Sequence, residues 1–446
     1  MPSLLILNAK IVNEGDIGEA DVLIRNGRIE QIAADLSAAP ADSRIDAAGL
    51  YLMPGMIDGQ VHFREPGDGR KGTIASESGA AVAGGVTSFM EMPNTSPPTL
   101  TIERLQEKYA LAAGRAHANH AFYMGTSNDN LDAIRQLKPN QACGIKIFMG
   151  ASTGNMLVDD PQTLRGFFAE APILVATHCE DTPTILENEA RYRERYGEDV
   201  PFSEHPNIRS EAACYQSSSL AIELAKEFAT RLHVLHLTTA KELTQFVRGA
   251  IDDKRITAEV CVHHLWFDDS DYEQQGALIK CNPAIKRQAD RDALRQAVKN
   301  HVIDVIATDH APHTWDEKQR SYFGAPSGLP LVQHALPALL DLVHAGIYTL
   351  PEIVHKTSHA VAKCYAVAER GYIREGYWAD LALIDLNAEE TVGRDNILYR
   401  CGWSPFTGHT FKSRVVRTIV NGRIVWDGSR IVCEPCGQKL DFNQDF

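Results

Sequence analysis

YLMPGMIDGQVHF, residues 51 to 63, is an apolar, strand-like run that opens at its end into the charged loop REPGDGRKG. Seven further runs of this kind follow: GVTSFMEMPN (85 to 94), HANHAFYMGT (117 to 126), ACGIKIFMG (142 to 150), PILVATHCE (172 to 180), RLHVLHLTT (231 to 239), ITAEVCVHHLWF (256 to 267) and VIDVIATDHAP (302 to 312). Between them lie helix-length segments such as IERLQEKYALAAGRA, SSSLAIELAKEFAT and RQADRDALRQAVKN, whose apolar residues recur at helical spacing. Strands alternating with amphipathic helices predict βα units around a parallel sheet, and eight such units predict an α/β protein built on a (β/α)8 barrel.

Outside this region the pattern changes. LLILNAKIVNEG, ADVLIRNGRIEQIAA, ADLALIDLN and SRVVRTIVNGRIVWDG are short alternating strands punctuated by Asn-Gly, the chemistry of hairpin turns. NGRI occurs twice, at 26 to 29 and at 421 to 424. The flanks therefore predict one small β-sandwich built from both chain ends, residues 1–50 and 371–446, with the barrel, residues 51–370, as a long insertion.

With 446 residues and 44% apolar content the chain can bury a large core. Its formal charge of −14 is spread along the chain, so no basic face for nucleic acid or an anionic membrane stands out, and a small-molecule substrate is expected. MPSLLILNAKIVNEG lacks the build of a secretory signal, and no run reaches the ~18 apolar residues of a membrane helix, which predicts a cytoplasmic protein. The nine cysteines have no framework spacing, and Cys143, Cys261 and Cys281 sit in apolar runs as reduced core residues do. Cys433-Glu-Pro-Cys436 has zinc-like spacing without a second pair.

In a parallel barrel, catalytic groups gather at the C-terminal ends of the strands. Five of the predicted strands carry possible metal ligands there: His62, Lys146, His178, His236 and Asp309. One histidine at a strand end is usually a hydrogen-bonded core residue, but five such groups converging by topology point to a site. Lys146 is the most telling, because an unpaired ammonium inside an apolar strand costs several kcal/mol unless it snorkels to the rim. A lysine amine that loses its proton can add carbon dioxide, and the resulting carbamate is an anionic two-oxygen ligand able to bridge two metal ions. Imidazole nitrogens and carboxylate oxygens suit Zn²⁺, and paired zinc ions activate water for hydrolysis of a carbonyl compound. Asp309, in ATDHAPH, is a candidate both for ligand and for general base; the alternative is a buried salt bridge to His310.

A metal-dependent hydrolase is expected to carry His-x-His on its first strand, where this chain has Gln60-Val61-His62. Strand alternation puts residues 60 and 62 on one side, so Gln60 faces the same site with a neutral and weaker amide oxygen. The expectation is a weakened exposed ion beside an intact buried one.

These stretches together resemble the amidohydrolase superfamily and, within it, the dihydroorotase family of cyclic amidohydrolases, over essentially the whole chain. PGMIDGQVHFREPG, AAVAGGVTSFMEMPNTSP, GIKIFMG, ATHCE, HVLHLTT, VHHLWF, KCNPAIK, ATDHAPH, GYIREGYWADLALID and CGWSPFTG carry the resemblance. It implies a barrel with a β-sandwich, a homodimer, and zinc-dependent interconversion of N-carbamoyl-L-aspartate and L-dihydroorotate in pyrimidine biosynthesis. By position, Lys146 matches the carbamylated bridging lysine (N6-carboxylysine), His178 and His236 the ligands of the more buried ion, His62 and Asp309 ligands of the other, and Asp309 also the general base. Arg64, Asn94 and His313 match groups that hold the substrate carboxylate. Asn282 and the backbone around Pro326 and Gly328 match contacts to the ring amides.

The residues taken alone agree in part. A carboxylate asks for a planar guanidinium, and Arg64 lies two residues beyond His62, nominally on the same strand face. Taken singly, Arg64 could be a surface loop residue, Asn94 a turn residue and His313 solvent-exposed. Residues 151 to 160, ASTGNMLVDD, could close over substrate and offer a hydrogen bond from Thr153 or Asn155, or form an ordinary loop. Two rival readings remain. Hydantoinases and allantoinases share the barrel and metal ligands but generally lack an arginine at the position of Arg64. The substitution at Gln60 also raises a catalytically impaired barrel that partners aspartate transcarbamoylase, as some dihydroorotase-like chains do.

Overall fold

The computed structural model describes residues 2–150 and 155–444. All eight apolar runs contain a strand, and each strand is shorter than its run: Met56–Val61, Val86–Glu91, Asn119–Phe122, Ile145–Phe148, Val175–His178, Leu232–Val234, Ile256–Cys261 and Val305–Ala307. Each pairs in parallel with its neighbours in sequence. The third is interrupted at Tyr123 and resumes as Met124–Gly125, which pairs with the fourth. Beyond the eighth, a parallel bridge joins His310 to Val61, and the His62 N–H donates to the His310 carbonyl at 2.7 Å. Nearly every residue of these strands is buried, as expected for parallel strands covered on both faces.

The helices between strands follow the apolar periodicity. Ile102–Ala112, Glu211–Phe228 and Gln288–Lys299 occupy three of the amphipathic segments, the first two capped by Thr101 and Ser210 side chains that accept from backbone N–H groups. One run is misread from sequence. Residues 262 to 267 do not extend the seventh strand, because Val262–Trp266 is a short helix, and a brief apolar run does not distinguish a buried helix from a strand.

Both chain ends build a second sheet. Its strands run in the order Arg423–Trp426, Arg414–Val420, Leu381–Asp385, Tyr51–Pro54, Leu4–Asn13, Asp16–Arg25 and Arg28–Ala33, with Ser43–Asp46 beside Leu4–Asn13. Both NGRI turns have positive φ at Asn and Gly (52° and 82° at 26–27, 50° and 74° at 421–422), which matches the twist of a tight hairpin. The sheet curls until Arg28 bridges Trp378 and the Ile29 N–H reaches the Tyr377 carbonyl at 2.9 Å. Alternation divides its faces: Leu52, Leu381 and Leu383 join an inner cluster with Leu4, Ile6 and Ile24, while Met53, Ala382 and Ile384 join the core of the parallel body. Among the described residues, no helix is long and apolar enough to cross a membrane.

Candidate active site

The strand ends open on one cavity of about 300 Å³. Gln60, His62, Arg64, Asn94, Lys146, His178, His236, Asn282, Asp309, His313, Pro326 and Gly328 all line it, although they lie as far apart as residues 60 and 328 in sequence. Asn155 is exposed and does not line the cavity, and Thr153 falls outside the described residues.

His178 ends the fifth strand, and His236 lies two residues beyond the sixth. Their Nδ1 and Nε2 atoms are 3.0 Å apart. Two imidazole nitrogens on one tetrahedral Zn²⁺ would sit about 3.3 Å apart, given Zn–N bonds of about 2.05 Å. His178 Nε2 faces the Glu180 carboxylate at 2.9 Å, so the proton belongs on that nitrogen and Nδ1 presents a lone pair to the cavity. Glu180 is itself held by the Arg209 guanidinium at 2.6 Å. Burial alone would raise its carboxyl, but Arg209 and His178 outweigh burial and hold it down at about 2. Sequence reasoning passed over Glu180, although a carboxylate two residues beyond a ligand-type histidine was a readable signal in THCED.

His62 and Asp309 form the second half of the site. His62 Nδ1 meets Asn94 Oδ1 at 2.7 Å, and with the proton on Nδ1 its Nε2 presents a lone pair 3.1 Å from Asp309 Oδ1. Two acceptors facing one another in this way suit a shared cation. Burial would raise the Asp309 carboxyl, but a proton carried instead on His62 Nε2, with the His263 and Lys146 charges, offsets it and leaves the group below its ordinary value, hence ionised. Asn94 orients a ligand-type imidazole, a task distinct from the carboxylate contact expected of it. Gln60 turns its amide Nε2 to Asp309 Oδ1 at 3.2 Å and its Oε1 toward Cys261 Sγ at 3.9 Å. The expected ligand oxygen therefore points away from the His62–Asp309 pair. The alternative for Asp309, a buried salt bridge beside His310, does not involve that ring: His310 Nε2 lies 2.9 Å from Glu77, and the imidazole facing Asp309 is His62.

Between the two halves sits Lys146, 1% exposed. Among the described residues its Nζ makes no hydrogen bond or ion pair; the Phe148 ring lies 4.6 Å away. Burial pushes the amine down to about 8, which makes the neutral, carbon dioxide-reactive form far more accessible than in an ordinary lysine. The imidazoles of His62, His178 and His236 and the carboxylate of Asp309 around this lysine are donor types that a divalent metal takes.

Arg64 and His313 line the outer end of the cavity, backed by Lys71, whose charge is paired with Glu317 at 2.9 Å. Lys71 Nζ, which can only donate, lies 3.2 Å from His313 Nδ1, so that nitrogen accepts and the ring proton sits on Nε2, donating to the Ser327 carbonyl at 3.0 Å. Arg64 Nη2 then faces this same Nε2 at 3.1 Å as donor against donor. Among the described residues only Nε of the guanidinium has a good protein acceptor, the Pro312 carbonyl at 3.1 Å. Burial, with the Arg64, Lys318 and Lys71 charges, holds His313 neutral, well below its ordinary range. Asn282 adds a buried Oδ1 without a partner among the described residues. The backbone at 326–328 is less free than expected: the Gly328 N–H donates to Lys280 O at 2.8 Å, and Lys318 Nζ donates to both the Pro326 and Gly328 carbonyls at 2.9 Å. Glycine is required at 328, where φ is +131° and an added Cβ would lie 2.5 Å from Ala311 O.

Arg64 does not extend the first strand as expected. That strand ends at Val61, and Arg64 has φ +67°, so it reaches the cavity from a turn. His236 (φ +40°) and Asp309 (φ +50°) are left-handed as well.

A family model described as amidohydrolase family matches residues 51–425. Among curated proteins, an allantoinase of Rubrobacter xylanophilus is 33% identical over 97% of this chain and 96% of its own length. A dihydroorotase of Halobacterium salinarum is 32% identical over 92% and 96%, and one of Methanosarcina acetivorans 30% over 98% and 94%. Among solved structures, the L-hydantoinase (dihydropyrimidinase) of Arthrobacter aurescens superposes with a TM-score of 0.93 at 26% identity, covering 99% of this chain and all of that one.

Proposed function

The chain belongs to the amidohydrolase family and is a hydrolase of cyclic amides, and from that premise we propose that it is a dihydroorotase, interconverting L-dihydroorotate and N-carbamoyl-L-aspartate. One observation carries the choice of substrate: the guanidinium of Arg64 faces the cavity with Nη2 set against a donor, inside a cluster that includes His313, Lys71 and Lys318. Such a group calls for an anionic, two-oxygen ligand, and the dihydroorotate carboxylate is one. The ring N–H groups find an acceptor in the unpartnered Oδ1 of Asn282. Allantoin and hydantoin rings offer the same amides without that carboxylate.

His178, His236, His62 and Asp309 would hold the metal, with Lys146 as its carbamylated bridge. When bound, zinc supplies a Lewis acid for the ring carbonyl and lowers the pKa of the attacking water. Asp309 Oδ1, ionised and in the cavity, takes the proton released as water attacks and returns it to the departing ring nitrogen. Asn94 holds the His62 tautomer, and Glu180 holds that of His178. Cyclisation requires the carboxylic acid form of carbamoyl aspartate and is favoured at lower pH. The pairing of Val61 with His310 supports a closed (β/α)8 barrel around this site, with residues 1–50 and 371–446, joined by the strand Tyr51–Pro54, as its β-sandwich. Zinc as the metal, a homodimer and a cytoplasmic location belong to the same reading.

The second reading is hydrolysis of allantoin or hydantoin, favoured by the allantoinase relative at 33% identity. Purified protein supplied with zinc and bicarbonate decides between them. Ring opening of dihydroorotate, with little or none of hydantoin, allantoin or dihydrouracil, is the expected result. The opposite preference would establish the second reading, and turnover of none of them would leave the scaffold.

A further inference from the structure

We propose that Cys261, His263 and His264 form a further metal site, of the thiolate–imidazole kind that takes Zn²⁺, beneath the floor of the active-site cavity. Their ligand atoms lie within 4.8 Å of one another, and the three side chains are 0%, 1% and 3% exposed. None of them lines the cavity. The site is independent of the dihydroorotase reading and stands or falls by itself.

The hydrogen bonding of the two imidazoles points to a cation. Both ring nitrogens of His263 are buried without a well-formed hydrogen bond among the described residues, the Thr308 backbone being an acceptor near the ring, although a neutral imidazole in the interior must place at least one N–H. His264 Nε2 lies 3.1 Å from the Pro283 carbonyl, so its proton belongs there, and Nδ1 is left buried and bare. A ligating histidine has this arrangement, its outer N–H tied to a carbonyl so that the inner lone pair is aimed. The two rings are 4.0 Å apart between centroids. Cys261 ends the seventh strand, and among the described residues its Sγ has only the weak 3.9 Å contact to Gln60 Oε1.

Three protein ligands leave a fourth tetrahedral position, and Gln60 faces it. Zn–S near 2.3 Å and Zn–O near 2.1 Å set sulfur and oxygen about 3.6 Å apart, close to the 3.9 Å between Cys261 Sγ and Gln60 Oε1. Gln60 would then serve two sites, its Oε1 toward this ion and its Nε2 on Asp309 Oδ1. The residue that breaks the expected His-x-His pattern becomes a link between a structural ion and the catalytic carboxylate.

Cobalt separates this site from the active site, because a cysteine thiolate on Co²⁺ gives an intense near-ultraviolet charge-transfer band that nitrogen and oxygen ligands do not. Full-length protein, stripped by chelator and titrated with Co²⁺, should develop that band at one equivalent. Cys261→Ser should abolish the band, whereas His178→Ala and the Cys433→Ser/Cys436→Ser double variant should keep it. Circular dichroism verifies that each variant is folded. Absence of the band in the unmodified protein, its persistence in Cys261→Ser, or its loss in the double variant would overturn the assignment.

Discussion

Arg64→Met tests the substrate assignment most directly. Methionine keeps much of the length and apolar volume of the arginine stem but removes the guanidinium, and it is preferred to lysine because a point charge could still pair with a carboxylate. Both residues meet the same cost at φ +67°, so backbone strain cancels between the two proteins. With Nε on the Pro312 carbonyl and one Nη2 N–H set against the His313 donor, three guanidinium N–H groups remain, of which a bidentate carboxylate engages two. Charge-assisted hydrogen bonds contribute roughly 1.5–3 kcal/mol each, so two are together worth about 3–6 kcal/mol. At 1.36 kcal/mol per decade, kcat/KM for dihydroorotate should fall about 10²–10⁴-fold. Dihydrouracil, the same ring without the carboxylate, supplies the control, and whatever turnover it shows should change less than about threefold because Arg64 has nothing to grip. The assay is ring opening followed by loss of amide absorbance, with both substrates at matched pH and zinc. A fall of less than about tenfold on dihydroorotate, or an equal fall on both substrates, would refute the carboxylate clamp.

Lys146→Ala should leave less than about a tenth of wild-type turnover and lower the zinc bound per chain, measured by metal analysis of the same sample, since several kcal/mol of barrier is assigned to the ions this lysine joins. Glu180→Gln removes the carboxylate that orients His178, and chelator competition should show zinc affinity reduced about 10–100-fold with the fold retained; unchanged affinity would mean that Glu180 serves only Arg209. Asp58 provides a pH test of stability. Burial raises its carboxyl to about 7 despite hydrogen bonds from Thr308. Because the folded value lies above the unfolded one, its contribution is fully present below about pH 4 and is lost as pH rises through about 7, to the extent of roughly 4 kcal/mol at 1.36 kcal/mol per unit. Urea midpoints from pH 4 to 7 should decline less steeply in Asp58→Asn than in wild type, and parallel slopes would contradict this.

The parallel strands were legible because their signal is local: a buried strand must be apolar on both faces, and helices must carry an apolar stripe. Lys146 was legible for the same reason, as a charge where local rules forbid one. The run at 256–267 failed because apolar content does not separate a strand from a five-residue buried helix, so His263 and His264 were read as continuing a strand. Arg64 was placed correctly by a wrong route, since period-2 alternation no longer applies beyond Val61. The contact of Asn94 with His62 and the role of Glu180 were missed because orienting a ligand depends on which nitrogen of a distant ring faces them, and no spacing in the chain encodes that. The amide orientation of Gln60 belongs to the same class, being set by Asp309 and Cys261, each some 200 residues or more away in sequence.

Arg64, His236 and Asp309 share a feature that sequence patterns do not report: each is a non-glycine residue with positive φ, at or just beyond the end of a parallel strand. Left-handed backbone costs such residues roughly 1–2 kcal/mol apiece, and none of the three is the Asn or Gly that eases it elsewhere in this chain, as at both NGRI turns. Extended backbone would continue each strand and send the following side chains alternately into the core and away from the cavity. The left-handed residue ends the strand abruptly and swings its side chain over the open end, where Arg64, His236 and Asp309 line one cavity. Glycine would relieve the strain only by deleting the group that the turn exists to present. Left-handed residues also occur away from the site, at Glu14, Ala229, His301, Ala366 and Glu369, but at these three strand ends the buried pairing behind them, including the His62 N–H on His310 O, holds the first and last strand ends in place against the strain.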